Sequence, residues 1–133
     1  MSGYLLDTNH LSPIVTIGHE LRTKILTKIE NGHEFAMTSP VLFEFLFGIR
    51  SLPRAVHNLQ IWEKIKADFT YYVVDSDDAE RAVTLKMELR QKGWQLELVD
   101  AFTAIVALRY DLTLLTKDKD FLAIPGLKLE NWL

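Results

Sequence analysis

The sequence contains no cysteine, which excludes disulfides, thiolate nucleophiles and cysteine-based zinc sites and fits a reducing interior. Nowhere does it run for about 18 uncharged apolar residues, so nothing in it reads as a membrane span. The start, MSGYLLDTNH, lacks the basic region and long apolar stretch of a secretory leader, and the expectation is a soluble, cytoplasmic protein. Basic charge is not in excess: 15 Lys plus Arg stand against 18 Asp plus Glu, so the chain as a whole repels a polyanion. A nucleic-acid partner therefore needs a local cause, either bound cations or a one-sided basic face. The four histidines, His10, His19, His33 and His57, form no i, i+4 pair, and a Gly-x-Ser-x-Gly elbow, a Walker loop and a dinucleotide glycine pattern are all missing.

What is there is enough for one core. Of 133 residues 48% are hydrophobic, and no repeat, low-complexity tract or Gly/Ser-rich linker parts the chain, so a single domain over 1–133 is expected. Short apolar strands alternate with longer helices. Strands are predicted over 4–6, 34–37, 71–74, 112–115 and 127–130, and helices over 19–30, 38–49, 53–68, 77–92 and 99–110. Asn31 and Gly32 stop the first of these helices, and Gly93 stops the fourth. Thr38, Ser39 and Pro40 open the second with a hydroxyl cap and a proline in the first turn. Strands separated by helices pair in parallel through right-handed crossovers, which makes the fold an α/β/α sandwich around a short parallel sheet.

In such folds the carboxyl ends of the strands line the ligand crevice, and here those ends are acidic. Asp7 follows the first strand, Asp118 comes soon after the fourth, and Glu44 lies just beyond the second. Each has an ordinary structural reading beside the functional one. Asp7 can cap a helix, Asp100 can complement the dipole of the apolar helix it opens, and Asp118 can sit in a charged turn. Glu44, within Val41-Leu42-Phe43-Glu44-Phe45-Leu46-Phe47, is expected to be buried, where a carboxylate needs a partner, either an arginine or a metal. Asp120 is the weaker candidate because its neighbour Phe121 should point inward. Asp75, Asp77 and Asp78 have the spacing of helix caps. Four carboxylates converging on one sheet edge repel one another unless protons or cations neutralise them, and oxygen ligands favour magnesium or manganese.

These residues resemble a known family. The run Tyr4-Leu5-Leu6-Asp7-Thr8-Asn9, Glu44 followed by Gly48, Asp100 heading an Ala-rich helix, Leu114-Leu115-Thr116-Lys117-Asp118-Lys119-Asp120-Phe121 and Pro125-Gly126-Leu127 are similar to a PIN-domain protein, most of all to the VapC toxins of toxin-antitoxin pairs. The resemblance spans nearly the whole chain. It implies an endoribonuclease with one or two Mg2+ or Mn2+ ions, commonly a homodimer, inhibited by a small antitoxin protein. Asp7, Glu44, Asp100 and Asp118 match the family's acidic quartet, serving as metal ligands and candidate catalytic groups. Asn9 and Thr116 match supporting polar positions, with Asp120 beside them. Thr103 stands where many relatives have an aliphatic residue.

For the grip on RNA, Arg50, Arg54, Lys64 and Lys66 after Glu44, and Lys117 and Lys119 beside Asp118, are candidates, each of which also reads as part of a solvated face. Phe43, Phe45 and Phe47 suit a core or a dimer seam better than base stacking. Two other classes compete. A receiver-like signalling domain would bind magnesium and be phosphorylated on Asp75, but it needs an acidic pair after the first strand, where this chain has only Asp7 with Asn9 nearby; a haloacid-dehalogenase-like phosphatase also fails at Asn9, where a second aspartate is expected. A catalytically inactive PIN-like binding module would turn over no RNA.

Overall fold

The alternation of short apolar and longer amphipathic segments becomes, in the computed structural model, five strands and six α-helices among the described residues 3–133. The first two residues of the domain expected over 1–133 lie outside the described residues. In chain order the elements are β1 (Gly3–Leu6), α1 (Thr8–Leu11), α2 (Glu20–Glu30), β2 (Glu34–Thr38), α3 (Ser39–Arg50) and α4 (Ala55–Ile65), then β3 (Thr70–Tyr72), α5 (Ser76–Gln91), α6 (Leu98–Arg109), β4 (Thr113–Leu115) and β5 (Leu129–Glu130). Short 3₁₀ turns cover Ser12–Val15, Lys66–Asp68 and Lys119–Ala123.

Local chemistry sets the helix ends. The Thr38 hydroxyl accepts the Val41 N–H at 3.3 Å, and Pro40 occupies the first turn of α3, where its missing N–H costs nothing. Asp75 and Asp78 form a reciprocal capping box on α5, with side chain to backbone distances of 2.9 and 3.1 Å. Past the ends of α2 and α5, Gly32 and Gly93 adopt φ of 89° and 78°, a conformation glycine takes without steric penalty.

All strands pair in parallel in the order β3-β2-β1-β4-β5. Alternation along β1 sends Tyr4 and Leu6 into one core, shared with α2, α3 and α4, and Leu5 into a second core, shared with α5 and α6. Each fully buried Leu or Phe in these layers contributes roughly 1.5–3 kcal/mol. The expected sandwich is therefore present, with helices on both faces.

Some expected boundaries differ for local reasons. β3 ends at Tyr72 rather than Val74, because Val73 is turned to solvent and the Val74 N–H donates to the Ser39 hydroxyl. The helix expected from Pro53 starts at Ala55 and tightens to a 3₁₀ turn after Ile65. No described helix is long and apolar enough to cross a membrane.

The topology also locates a crevice. From β1 the chain adds β2 and β3 on one side, then returns to add β4 and β5 on the other. The strand order thus reverses between β1 and β4, and a ligand site in such a sheet lies outside the carboxyl ends at that switch point.

Candidate metal centre at the sheet's switch point

Asp7 leaves β1 at this point. Its backbone N–H donates to the Leu115 carbonyl at 3.0 Å, prolonging the β1–β4 ladder and fixing the residue against β4. Its carboxylate caps the short helix α1 by accepting the Thr8 N–H at 2.8 Å on Oδ1. Oδ2 accepts the Thr116 hydroxyl at 2.7 Å and the Asn9 amide at 3.2 Å. Three of about four acceptor positions are thereby filled, and one on Oδ1 is left for a further partner. The cap reading and the site reading of Asp7 thus describe one residue. Burial is the main cause that pushes its pKa above the ordinary carboxylate range; the three hydrogen bonds oppose this and Asp118 adds to it.

Asp100 lies in the first turn of α6, whose N-terminus reaches the same edge. One carboxylate oxygen from each of Asp100, Asp118 and Asp120 falls within 4.8 Å of the others. No donor among the described residues reaches the Asp100 carboxylate. Its pKa is pushed up to about 7, first by burial and then by the negative charges of Asp7, Asp118, Glu44 and Asp120. Asp7 and Glu44 thus lie close enough to the Asp100, Asp118 and Asp120 group for their charge to bear on Asp100. Glu44 joins from α3 by accepting the Thr8 hydroxyl at 3.1 Å. The donor set is entirely oxygen and carries excess negative charge, which fits a hard divalent cation such as Mg2+ or Mn2+.

Several expectations need correction. Glu44 is exposed, not buried: α3 sinks only Val41, Phe45 and Ile49, and leaves Phe43 and Phe47 stacked on each other in solvent with ring centroids 6.1 Å apart. Glu44 therefore needs no arginine partner. Asp120 ranks with the quartet by position. Phe121 does point inward, fully buried, but a 3₁₀ turn sets successive side chains about 120° apart, so Asp120 faces the acids while Phe121 fills the core. The Thr103 hydroxyl is committed to its own helix, donating to the Val99 carbonyl at 2.9 Å. Trp62 is core, packed on Phe45 and Phe69.

The cations divide. Lys117 and Lys119 flank Asp118 in a groove that Thr116 and Glu130 also line. Arg50 lines a different groove, between α3 and α4 with Leu42, Leu59 and Tyr71, Lys66 pairs with Glu63 at 2.8 Å, and Arg54 and Lys64 are exposed. Asp75, Asp77 and Asp78 surround Arg109, which reaches Asp78 at 2.9 Å, so they serve the α5–α6 junction. Asp75 follows an edge strand, not the strand at the switch point, and this removes the phosphoacceptor geometry of the receiver reading.

One residue escaped sequence reasoning. His10 is fully buried and hydrogen-bonded to Asn9 at 2.6 Å. The available signal was its place directly after Asp7-Thr8-Asn9, one residue from the site.

Comparison with known proteins agrees with this fold. The profile of the PIN domain matches residues 4–127. Among curated proteins no sequence matches the chain. Among solved structures, a chain of VapBC2 from Rickettsia felis bound to a promoter DNA fragment is 25% identical, with a TM-score of 0.85 over 98% of this chain and 99% of that one. A chain of DNA-bound VapBC from Salmonella typhimurium is 23% identical, with a TM-score of 0.83 over the whole of both chains, and so likens the fold. A toxin-antitoxin complex from Klebsiella pneumoniae is 27% identical, with a TM-score of 0.70 over 93% of this chain and 94% of that one.

Proposed function

Because the chain belongs to the PIN-domain family, we propose that it is a Mg2+- or Mn2+-dependent endoribonuclease, the VapC-type toxin of a toxin-antitoxin pair, folded as one domain over 1–133. The observation that carries this reading is the gathering of acids at the switch point, where carboxylate oxygens of Asp100, Asp118 and Asp120 lie within 4.8 Å of one another and Asp7 and Glu44 add their negative charge to Asp100. Such a cluster is strained without a cation and useful with one.

Asp100, Asp118 and Asp120, with the open position on Asp7 Oδ1, would hold one or two ions. When bound, a divalent ion stabilises charge developing on a phosphate and makes an attacking water more acidic. The chain's own residues supply the rest. Thr116 and Asn9 fix the Asp7 carboxylate, Asp100, held protonated by burial and by its acidic neighbours, would ionise when a cation is held beside it, and exposed Glu44, bonded by the Thr8 hydroxyl, would orient water at the mouth of the site. Water gives one proton to a carboxylate of the cluster as its oxygen attacks phosphorus in line, the bond from phosphorus to O3′ breaks, and the departing O3′ takes a proton from solvent, so that the products carry a 5′-phosphate and a 3′-hydroxyl. Lys117 and Lys119 offer the local positive charge that an acidic protein needs to hold RNA.

The relatives crystallised as VapBC and toxin-antitoxin complexes support a small antitoxin protein as partner; in this reading the antitoxin covers the acids and the complex is cytoplasmic. The exposed Phe43 and Phe47 pair on α3 gives a second chain, whether the antitoxin or another copy in a homodimer, an apolar surface to bury. The test is cleavage of structured RNA by the purified chain with Mg2+ or Mn2+. Cleavage should stop in excess chelator and return when the ion is restored. Cleavage undiminished by chelator defeats the metal mechanism, and no cleavage of any RNA with either ion leaves the inactive binding module as the better reading.

A further inference from the structure

We propose that His10 is a positioning residue of the acidic site: a neutral imidazole, protonated on Nδ1, that aims the Asn9 side chain at Asp7 and takes its own orientation from the backbone of Trp132. The effect on metal binding rests on the function proposed above. The orientation itself rests on hydrogen bonds alone.

The direction of every bond in this chain is forced. The Trp132 backbone N–H can only donate, and it lies 3.0 Å from His10 Nε2, so Nε2 accepts and carries no proton. In a neutral ring the proton is then on Nδ1, which sits 2.6 Å from Asn9 Oδ1. Asn9 Oδ1 also accepts the Lys117 N–H at 3.3 Å. Two donors on that oxygen decide which way the amide faces, because a flipped Asn9 would set its NH2 against both. With the oxygen so held, Nδ2 faces Asp7 Oδ2 at 3.2 Å and Thr116 Oγ1 at 3.3 Å. The protein thus runs an uninterrupted line of donors from its C-terminal segment to the carboxylate at the switch point.

Both ends of that line are anchored. Trp132 cannot drift, since its ring packs edge-on against Tyr4 at 4.9 Å and against Phe35 at 5.9 Å, with Lys24 Nζ 3.9 Å above it. His10 is fully buried, and burial together with the charge of Lys117 lowers its pKa to about 4, so it stays neutral near neutral pH. The competing reading is that His10 only tethers the C-terminal segment and satisfies a buried N–H.

Two substitutions separate these roles. His10→Asn keeps an amide donor near the position of Nδ1 and loses the acceptor for Trp132, whereas His10→Gln keeps an acceptor near Nε2 and loses the donor to Asn9. The affinity for Mn2+ is measured by titration calorimetry near neutral pH, beside the melting temperature of each variant. Loss of a direct partner of a metal ligand typically costs about 10–100-fold in affinity, and His10 acts one bond further out through Asn9, so His10→Gln should bind Mn2+ more weakly by up to about tenfold, with His10→Asn close to the parent. His10→Gln binding as the parent does, or both variants weakening in step with their lost stability, overturns the proposal. The parent itself supplies an arm that needs no metal. ¹⁵N NMR should show His10 protonated on Nδ1 and bare on Nε2, and the reverse tautomer overturns the proposal whether or not Mn2+ binds. Absence of Mn2+ binding by the parent would instead defeat the function proposed above.

Discussion

The hydroxyl of Thr116 donates to Oδ2 of Asp7 at 2.7 Å and accepts the backbone N–H of Asp118 at 3.0 Å. One small side chain thus ties the carboxylate after β1 to the turn after β4. With the Asn9 amide at 3.3 Å, its single donor and both acceptor positions are filled.

Thr116→Val should therefore be more harmful than its shape suggests. It keeps the volume but strips a buried carboxylate and an N–H of a shared partner, a loss of about 1–3 kcal/mol in chemical denaturation. Thr116→Ser keeps the hydroxyl and should recover most of that stability. A Thr116→Val as stable as the parent, with Thr116→Ser weakened, would mean that the methyl group, not the hydroxyl, matters.

Without metal, stability should fall as pH rises from acid to neutral. The Asp100 carboxyl titrates near 7 in the folded chain against an ordinary value of 3.8, so the folded state holds the proton more tightly. That contribution is complete below about pH 4, is lost as pH rises toward about 7, and is gone above it. Asp100→Asn carries no charge and receives no hydrogen bond to lose, so it should flatten this slope and melt no lower than the parent in chelator near neutral pH. Asp7→Asn should behave otherwise, because an NH2 in place of Oδ2 would face the Thr116 and Asn9 donors. Melting curves across pH check both.

Expression of the chain without an antitoxin should slow growth, and Asp100→Asn should relieve this at equal protein level. Asp77→Asn is the control: it removes an acid of the Arg109 cluster, away from the switch point, and should leave the toxicity in place. Parent-like toxicity in Asp100→Asn would separate growth arrest from this site.

The parts of this arrangement that the sequence reveals are those set by local rules. Strand segments end in Asp7 and, two residues after Thr116, Asp118; the Thr38-Ser39-Pro40 opening and the Asp75–Asp78 spacing announce their helices; and all of these stand where the sequence puts them. What it hides is set by partners distant along the chain. Glu44 looks buried because its neighbours are apolar, yet Phe43 and Phe47 themselves face solvent beside it. Helix α1 is a single turn with no periodicity to detect, and it depends on Asp7 as its cap. Asp120 is underrated because neighbours in a strand would alternate, whereas in a 3₁₀ turn they need not. His10 takes its meaning from Trp132, 122 positions away.

The most direct measurement is the binding of Mn2+ to the purified chain by titration calorimetry near neutral pH, with Asp100→Asn, Asp120→Asn and Asp77→Asn beside it. The parent should bind one or two ions and release protons as it does so, and ion at a hundred times its dissociation constant should add about 2.7 kcal/mol of stability. Asp100→Asn and Asp120→Asn should each bind more weakly by about tenfold or more, while Asp77→Asn stays with the parent. If the parent takes up no Mn2+, or if all three variants bind as the parent does, the acids at the switch point do not form a metal centre.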